Sequence, residues 1–281
     1  MLIAERHSRI LGTLRQHGLV SVRDLARELA VSEVTIRRDI RDLAASGLVR
    51  RTHGGAVFAS PHGQEPTYQE KTGVAMAEKR AIAAAAAEFI VDNDVIGIGA
   101  GTTTEALAAR LTHHRALTVV TNSLLVADVL SEAEGVGVIA SGGTMRRFTR
   151  ALTGMLAEGV IAELHVSTLF ISGNGLTAAR GLSTPVLGAA GVDRALAAIA
   201  DRIVVLADHT KIGKDTMTQT VETKRIDLLV TDRAADAEEV AKLRAAGVEV
   251  TVVDPEPAGA HDIGESLRPL GVPSSDVPTA M

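Results

Sequence analysis

Between Asp94 and Val253 the sequence alternates short β-branched runs with helical stretches, and this alternation restricts the possible folds more than any other feature. The seven runs are VIGI, LTVV, VGVIA, TLFIS, RIVVLA, DLLVT and VEVTVV. Helical segments such as TEALAARL, LLVADVL and VDRALAAIA lie between most of them. Strands that alternate with helices predict an α/β sheet that is mainly parallel and covered by helices on both faces. An Ala-rich helix, AMAEKRAIAAAAAEFI, precedes the first run, so this domain is expected to span residues 76–254.

The loops after five of these runs are rich in glycine, hydroxyl or amide groups. They are GAGTTT, TNS, SGGT, GNG and DHTK. In an open α/β sheet the carboxyl ends of the strands share one edge, where ligands bind. Any single loop of this kind is as well explained by an ordinary turn or helix cap, but five that converge favour a ligand site. The predicted effector-binding residues are Gly101, Thr102, Thr103, Thr104, Asn122, Ser123, Gly143, Asn174, Asp208 and Lys211.

The chemistry of these loops favours a small phosphorylated, polyhydroxylated ligand. Glycine-rich backbone at the start of a helix attracts anions, and Lys211 would add a full positive charge. A dinucleotide site does not fit, because Thr104 stands where a third glycine is needed, and a P-loop is also missing. With only five aromatic residues in the chain, stacking on a nucleotide base is not expected either.

Residues 21–55 predict two short amphipathic helices, a tight turn and a basic tail that ends in glycine. A first helix is expected over residues 3–17. Ser21 with Asp24, and then Ser32, supply N-terminal capping signals. Ile36, Ile40 and Leu43 recur at helical spacing as a buried face, with arginines opposite, as in a helix that reads the major groove. This helix-turn-helix, at about residues 20–39, is predicted to contact DNA through Ser32, Val34, Thr35, Arg37, Arg38 and Arg41.

The segment LVRRTHGGAV that follows Gly47 predicts a two-stranded wing. Paired glycines at positions 54 and 55 would allow a tight turn between its strands. Arg51 and His53 are then expected to contact the DNA backbone or the minor groove. The alternative for this segment is a plain turn between two domains.

The charge is distributed unevenly along the chain. Residues 1–60 contain ten arginines, no lysine and six acidic residues, for a net charge of +4. Because the whole chain carries −5, residues 61–281 carry −9. Positive charge concentrated in one fifth of the chain favours contact with phosphates over an ordinary solvated helix face. Residues 1–58 are therefore predicted to be the DNA-binding domain, and the polar, Pro- and Gly-containing residues 59–75 a linker.

Composition excludes several other classes of protein. A hydrophobic content of 46% is enough for a packed core. The chain has no cysteine, and its nine histidines lack metal-binding spacing, so neither a disulfide nor a metal site is expected. Since no apolar run reaches the roughly 18 residues of a membrane span and no secretory signal opens the chain, a cytoplasmic location is predicted. Residues 255–281 contain five prolines and little periodicity, which predicts a disordered tail.

From about residue 3 to residue 254 the sequence resembles the DeoR family of bacterial transcriptional regulators. The helix-turn-helix signature is matched by Arg6, Ile10, Leu14, Ser32, Thr35, Ile36, Arg37, Arg38, Asp39 and Ile40. RRTHGGAV matches the segment that follows this signature in the family. The second domain matches in EKRAIAAAA, AGTTT, LTVVTNS, SGGT, GLSTP and LADHTK.

The resemblance implies a winged helix-turn-helix joined to a sensor domain similar to ribose-5-phosphate isomerase and glucosamine-6-phosphate deaminase. It implies a regulator of carbohydrate catabolism, most often a repressor, whose affinity for double-stranded operator DNA changes when the sensor binds a phosphorylated sugar. A homo-oligomer, either a dimer or a tetramer, would engage two half-sites. No catalytic residue and no cofactor are expected.

Three positions depart from the family's pattern and are predicted to alter which sugar phosphate is held. Gly99 stands where an acidic residue is common, Asn174 where the family has aspartate, and Asp193 where a lysine is expected. The alternative function is an isomerase- or deaminase-like enzyme with a DNA-targeting domain. For that enzyme Asp208 and Lys211 would be a thin catalytic set, because candidate carboxylates have been lost. A purely structural DNA-bending protein would leave the polar loops without a purpose.

Overall fold

The computed structural model describes residues 3–17, 19–45, 49–52, 54–58 and 67–255. Its amino-terminal part contains α1 (Ile3–His17), β1 (Leu19–Ser21), α2 (Val22–Glu28), α3 (Glu33–Ala45), β2 (Val49–Thr52) and β3 (Gly55–Phe58). The three strands form an antiparallel sheet in the order β1-β3-β2. β2 and β3 are the two strands of the predicted wing, and β1 adds a third strand that was not predicted from the sequence.

Apolar side chains at helical spacing hold these helices and the small sheet together. Those in the core include Ile10, Leu14, Leu25, Ile36, Ile40 and Leu43. Ser21 starts α2 as predicted, since its hydroxyl oxygen accepts a hydrogen bond from the Asp24 amide at 3.0 Å. Where β3 crosses β1, a Cβ on Gly55 would lie 1.9 Å from the carbonyl oxygen of Val20, so glycine is required. This packing turns the isoleucine face of α3 inward and leaves its arginine face outside.

The second part begins with α4 (Tyr68–Thr72), α5 (Met76–Ala87), β4 (Val95–Ile98), α6 (Thr102–Ala108), β5 (Leu117–Thr121), α7 (Leu124–Leu130) and β6 (Val136–Ala140). It continues with β7 (Thr144–Arg146), β8 (Ala151–Thr153), α8 (Met155–Ala162), β9 (Val166–Ile171), β10 (Gly175–Thr177), β11 (Gly181–Thr184) and α9 (Leu187–Ala198). It closes with β12 (Ala200–Leu206), β13 (Thr218–Val221), a 3-10 turn (Thr223–Arg225), β14 (Leu228–Asp232), α10 (Ala237–Ala245) and β15 (Glu249–Val253).

Seven of these strands form a parallel sheet in the order β15-β14-β12-β9-β4-β5-β6. Each of the seven runs predicted as strands is one of them. The chain enters at β4, moves outward through β5 and β6, and returns to the other side of β4 at β9. The order therefore reverses between β4 and β9, and loops that leave two neighbouring strands at such a switch point diverge and open a cleft.

Helices cover both faces of this sheet, as predicted. On one face α5, α6 and α7 pack through Ile82, Leu107 and Val126 against strand residues such as Ile98 and Val204. On the other face α8, α9 and α10 pack through Ile161, Leu196 and Leu243 against strand residues such as Leu169 and Val205. The predicted fold class is confirmed: a winged helix-turn-helix is followed by a larger α/β domain with a parallel sheet.

Two strand elements at the carboxyl edge of the sheet were not predicted. A hairpin of β7 and β8 follows β6, and a separate antiparallel sheet is formed in the order β10-β11-β13. Both are insertions in the connections that leave the carboxyl ends of the large strands. They therefore build the walls of the cleft.

The segment predicted to be a linker, residues 59–75, is partly helical. Residues 59–66 lie outside the described residues, whereas α4 begins directly after them. Thr67 and Glu70 form a capping box, in which each side chain binds the backbone N–H of the other residue, and this explains a helix in a polar segment. The tail was predicted over residues 255–281, and from residue 256 onward it lies outside the described residues. Within the described ranges, no helix combines the length and the apolar character needed to span a bilayer.

Candidate functional site

The exposed surface of α3 is the first candidate site. Five of the six residues predicted there are exposed, namely Ser32, Val34, Arg37, Arg38 and Arg41, and Thr35 is half-buried. Val34 keeps 76% of its surface exposed although it is apolar. Ser32 caps the helix, because its Oγ accepts a hydrogen bond from the Thr35 amide at 3.2 Å. The predicted residues thus extend from the N-cap of α3 to Arg41 in its second half, and most of them are exposed.

A buried ion pair ties α3 to α1. The Arg6 guanidinium donates two hydrogen bonds to the Asp39 carboxylate, the one from Nη2 at 2.8 Å. His7 Nε2 lies 3.3 Å from the same carboxylate. Asp39 is only 2% exposed, and burial opposes its charge, but the hydrogen bonds and charge of Arg6 prevail and hold the pKa of Asp39 below its usual value. The position of the arginine surface therefore depends on the Arg6–Asp39 ion pair. The sequence analysis did not predict this structural role for the two residues.

Among the described side chains of the wing, Arg51 is a further exposed cation. Arg51 is exposed on β2, opposite Ala56 of β3. Gly54 makes the turn between the two strands with φ of +97°, a value that favours glycine. The Gly54 carbonyl accepts a hydrogen bond from the Val22 amide at 2.8 Å, so the turn is fixed against the start of α2. His53, the other residue predicted to contact DNA from the wing, lies outside the described residues.

A cleft at the carboxyl edge of the parallel sheet is the second candidate site. The loops after β4, β5, β9 and β12 meet there, next to the switch point. Seven of the residues predicted to bind the effector line it: Gly101, Thr102, Thr103, Asn122, Asn174, Asp208 and Lys211. The structure thus brings together loops that are far apart in the sequence.

Three other predicted effector residues do not line the cleft. Thr104 is buried, and its hydroxyl donates to the Gly101 carbonyl at 3.0 Å. Ser123 is buried as the N-cap of α7, where its Oγ accepts from the Val126 amide at 3.2 Å. Gly143 is exposed in the turn before β7, with φ of +102°. Each of these residues shapes a loop through its hydroxyl or its backbone and does not face the cleft.

The cleft also has lining residues that were not predicted as ligands. Most of them come from α4 and α5, the β7–β8 hairpin, the loop after β9, the end of β11 and α9. The polar ones and the one glycine are Tyr68, Lys71, Lys79, Arg146, Thr149, Ser172, Gly173, Thr184 and Asp193. For Lys79 the sequence did contain a signal, because it places a lysine on the inner face of an Ala-rich helix. Lysine is rarely buried unless its ammonium has partners.

Three lysines give the cleft a positive side. Lys79 is 3% exposed, and its ammonium donates hydrogen bonds to the carbonyls of Val74, at 2.6 Å, and of Lys71. Burial lowers the pKa of Lys79 and of Lys211, and Asp208 acts in the opposite direction on both. The charge of Lys71 further lowers the pKa of both groups. The three ammonium groups therefore repel one another across the cleft.

Two asparagines fix the loops around these lysines. Asn122 Oδ1 accepts a hydrogen bond from the Ala100 amide at 3.0 Å, and its Nδ2 donates to the Leu152 carbonyl at 3.4 Å. Asn174 Oδ1 accepts from the Thr184 hydroxyl at 3.3 Å. Asn122 thus joins the loop after β4 to the β7–β8 hairpin, and Asn174 joins the loop after β9 to β11.

Two carboxylates near the cleft already hold hydrogen bonds. Asp208 accepts from the Thr210 amide at 2.9 Å and from the Thr210 hydroxyl. Glu105 on α6 accepts from the Tyr68 hydroxyl at 2.9 Å. Burial raises the pKa of Glu105, and the bond from Tyr68 opposes this shift. Among the residues with described positions, no group of three or more His, Asp or Glu is arranged to hold a metal ion.

Two family models match the chain. The DeoR-like helix-turn-helix domain matches residues 6–62, and the DeoR C terminal sensor domain matches residues 74–233. The first model covers α1 to β3, which carry the arginine surface. The second covers the cleft from α5 to the loop after β12.

Full-length relatives carry the names of transcriptional regulators. The HTH-type transcriptional regulator GlpR of Haloferax volcanii is 37% identical over 90% of this chain and 98% of its own. The transcriptional repressor AccR of Agrobacterium fabrum is 33% identical over 81% of this chain and 89% of its own. The HTH-type transcriptional repressor GlcR of Bacillus subtilis is 32% identical over 89% of this chain and 96% of its own.

A solved D-ribose-5-phosphate isomerase in complex with phospho-erythronic acid is similar to part of the chain. It has a TM-score of 0.36 and 17% identity, over 47% of this chain and 52% of that chain. This likeness is too low to support an argument about function. The family is shown instead by the pair of matched models together with relatives that align over most of their length. This chain belongs to the DeoR family, with a DeoR-like helix-turn-helix domain followed by a DeoR C-terminal sensor domain.

Proposed function

We propose that this protein is a sequence-specific DNA-binding repressor whose affinity for its operator is changed by a phosphorylated sugar bound in the cleft. The genes it controls are proposed to be those of carbohydrate catabolism. The observation that carries the proposal is the presence, in one chain, of an arginine-bearing α3 surface and a cleft with three lysines on one side.

The α3 surface offers the chemistry needed to read a DNA duplex. Arg37, Arg38 and Arg41 can bond to guanine edges in the major groove, and the exposed Val34 suits contact with a thymine methyl group. Contacts to the phosphates, which fix the orientation of the protein, are proposed for Ser32 and for Arg51 of the wing, alongside His53. A homo-oligomer would place two such surfaces on two half-sites.

The cleft offers charge for a phosphate and hydrogen bonds for a polyhydroxylated molecule. Lys71, Lys79 and Lys211 supply donors for charge-assisted hydrogen bonds to phosphate oxygens. Asp193 and Thr103 lie among the lining groups that can bond to sugar hydroxyls. A nucleotide is less suitable, because Tyr68 is the only aromatic side chain among the described lining residues and its hydroxyl already bonds to Glu105.

The names of the relatives, and the hydrogen bonds that the carboxylates accept from neighbouring residues, favour a regulator over an enzyme. AccR and GlcR are named transcriptional repressors. Isomerase or deaminase chemistry requires a general base that is positioned on the substrate. Asp208 and Glu105 both accept hydrogen bonds from neighbouring residues, which supports a role in holding loops. We therefore propose no catalytic role for the cleft.

Thermal unfolding of the full chain tests the ligand. A panel of sugar phosphates is added, each paired with the same sugar without phosphate. We expect the Tm to rise with one or a few of the phosphorylated compounds, because a ligand at a hundred times its Kd stabilises the folded state by about 2.7 kcal/mol. Equal shifts with the unphosphorylated sugars, or no shift across the panel, would contradict the proposal.

Arginine substitutions test the DNA-reading surface. A duplex selected by the full chain from a random-sequence library serves as the operator. Arg37→Ala or Arg38→Ala is expected to weaken binding by about 1–3 kcal/mol at constant salt, the cost of one lost base contact. Arg110→Ala, which removes one exposed charge after α6, is the matched control and should bind as the wild type does. Unchanged affinity in both α3 variants would exclude this helix as the reader.

A further inference from the structure

Helix α4 belongs to the wall of the cleft and is also the first described element after the DNA-binding domain. Tyr68 and Lys71 of this helix line the cleft. Only residues 59–66 separate Phe58, at the end of β3, from Thr67. A segment of this length spans at most about 30 Å, so a displacement of α4 changes where the DNA-binding domain can reach.

The amino-terminal end of α4 is held by contacts through Tyr68. Its backbone amide donates to the Phe148 carbonyl at 2.8 Å, and its hydroxyl donates to Glu105 at 2.9 Å. The guanidinium of Arg150 lies 5.7 Å from the centre of the Tyr68 ring, within the range of a cation–π contact. Phe148 and Arg150 belong to the β7–β8 hairpin, and Glu105 follows the GAGTTT loop. Tyr68 thus joins α4 to two of the elements that form the cleft.

The carboxyl-terminal end of α4 is held by one buried ammonium. Lys79 donates to the carbonyl of Lys71, in the last turn of α4, and to the carbonyl of Val74, just beyond the end of the helix. The same side chain lines the cleft beside Lys211. Lys79 therefore contacts α4 on one side and faces the proposed ligand on the other.

The charges of the cleft act against this docking when no anion is present. Lys71 on α4 is close enough to Lys79 and Lys211 to disfavour their charged forms. Docking α4 brings a third lysine charge into a partly buried site that already holds Lys79 and Lys211, and the Asp208 carboxylate, which favours the charged forms of both, offsets part of this repulsion. A bound phosphate would offset this repulsion, so it would bind the docked arrangement more tightly than an undocked one. Such a difference in affinity is what a ligand needs in order to shift a conformational equilibrium.

We propose that α4 is the relay that couples the cleft to the DNA-binding domain, with Lys79 as its positioning residue. This inference rests on the proposed function of the same cleft. An anion bound among the three lysines fixes α4, and α4 fixes the residue from which the linker departs. The relay is local, since it requires only that the short helix α4 change its contacts with the wall of the cleft.

The capping box of α4 allows the relay to be weakened without altering the lining of the cleft. Glu70 bonds to the Thr67 amide at 2.9 Å, and neither residue lines the cleft. Glu70→Ala removes this cap, whereas Glu70→Gln preserves it, because glutamine serves equally at this position. Asp236→Ala is the matched control: it removes the N-cap that accepts from the Glu239 amide at 2.8 Å on α10, away from the cleft.

The experiment measures hydrogen exchange in the full-length variants with and without inorganic phosphate, together with affinity for the selected duplex. In the wild type, Glu70→Gln and Asp236→Ala, phosphate should slow exchange in α4, in the 99–104 loop and around Lys211. In Glu70→Ala the loops should still respond while α4 does not. The phosphate-dependent change in duplex affinity should then fall by about five-fold or more in Glu70→Ala alone.

Three results would overturn the relay, and only the third also removes the proposed effector site. If phosphate slows exchange in the loops but never in α4, or if Glu70→Ala keeps the full phosphate-dependent change in affinity, the relay is wrong while the ligand site stands. If phosphate slows exchange nowhere around the cleft, and no sugar phosphate raises the Tm, the relay and the proposed effector site fall together.

Discussion

Replacement of Asp39 by alanine is expected to destabilise the DNA-binding domain by about 3 kcal/mol or more. The substitution leaves the Arg6 guanidinium in a largely buried position without its partner, and breaking a buried pair in this way typically costs about 3–5 kcal/mol. Operator binding should fall with stability, because α3 loses the contact that holds it against α1. Hydrogen exchange of α1 and α3 amides in the full-length chain measures the change in unfolding free energy.

An exposed ion pair on the same helix supplies the control for Asp39. Glu33 lies 3.3 Å from Arg37, with both side chains largely exposed, so Glu33→Ala is expected to change stability by less than about 1 kcal/mol. The effect of Asp39 should also depend on pH. Because its pKa is lowered in the folded state, its contribution is fully present above the unfolded pKa of about 3.9 and is lost as pH falls through the lower folded value. Equal effects of the two substitutions at neutral pH would show that the buried pair is not what holds α3.

The large sheet could be predicted from the sequence because its inner strands are buried on both faces. Strand β12, for example, has buried apolar side chains on both sides over residues 203–206 and therefore reads as a continuous, mostly β-branched run. The order of the strands did not follow from these runs. It depends on which strand returns beside β4, and β9 carries no local signal for this position.

The smaller elements were missed because their signals are weak or ambiguous. β7 and β10 each contain three residues, too few for a period of two to be recognised. α4 lies in a polar stretch where Pro66 and Gly73 suggested a linker, and its capping box at Thr67 and Glu70 was overlooked. These elements nevertheless contribute Tyr68, Lys71 and Arg146 to the cleft.

The residues of the candidate site also divide into those that could be predicted from the sequence and those that could not. Residues at strand ends, such as Asn122 and Lys211, could be predicted because the topology of an α/β sheet brings strand ends together. Within a loop, sequence alone does not say which side chain faces inward: Thr103 lines the cleft, whereas its neighbour Thr104 bonds back to Gly101. Lys79 was missed for another reason, since its helix reads as a plain alanine-rich support.

Replacement of Lys211 by alanine is expected to separate ligand response from DNA binding. Its ammonium is partly buried at the positive side of the cleft, where it can form a charge-assisted hydrogen bond to a phosphate oxygen. Loss of this bond should weaken the effector by about 2–3 kcal/mol, or roughly 30- to 150-fold. Affinity for the selected duplex without effector should not change, because the reading surface lies on α3 and the wing.

Lys214→Ala is the appropriate comparison, because this lysine is exposed three residues away and does not line the cleft. It removes the same charge from the same connection between β12 and β13. Titration of each variant with the sugar phosphate found by thermal unfolding gives its affinity for the effector. A salt-controlled duplex-binding assay, with and without that sugar phosphate, gives the change in DNA affinity. If Lys214→Ala weakened the effector as much as Lys211→Ala, the loss would reflect net charge and not a contact. If Lys211→Ala abolished duplex binding without effector, the cleft would support the DNA-binding state itself, and the predicted separation of ligand response from DNA binding would be wrong.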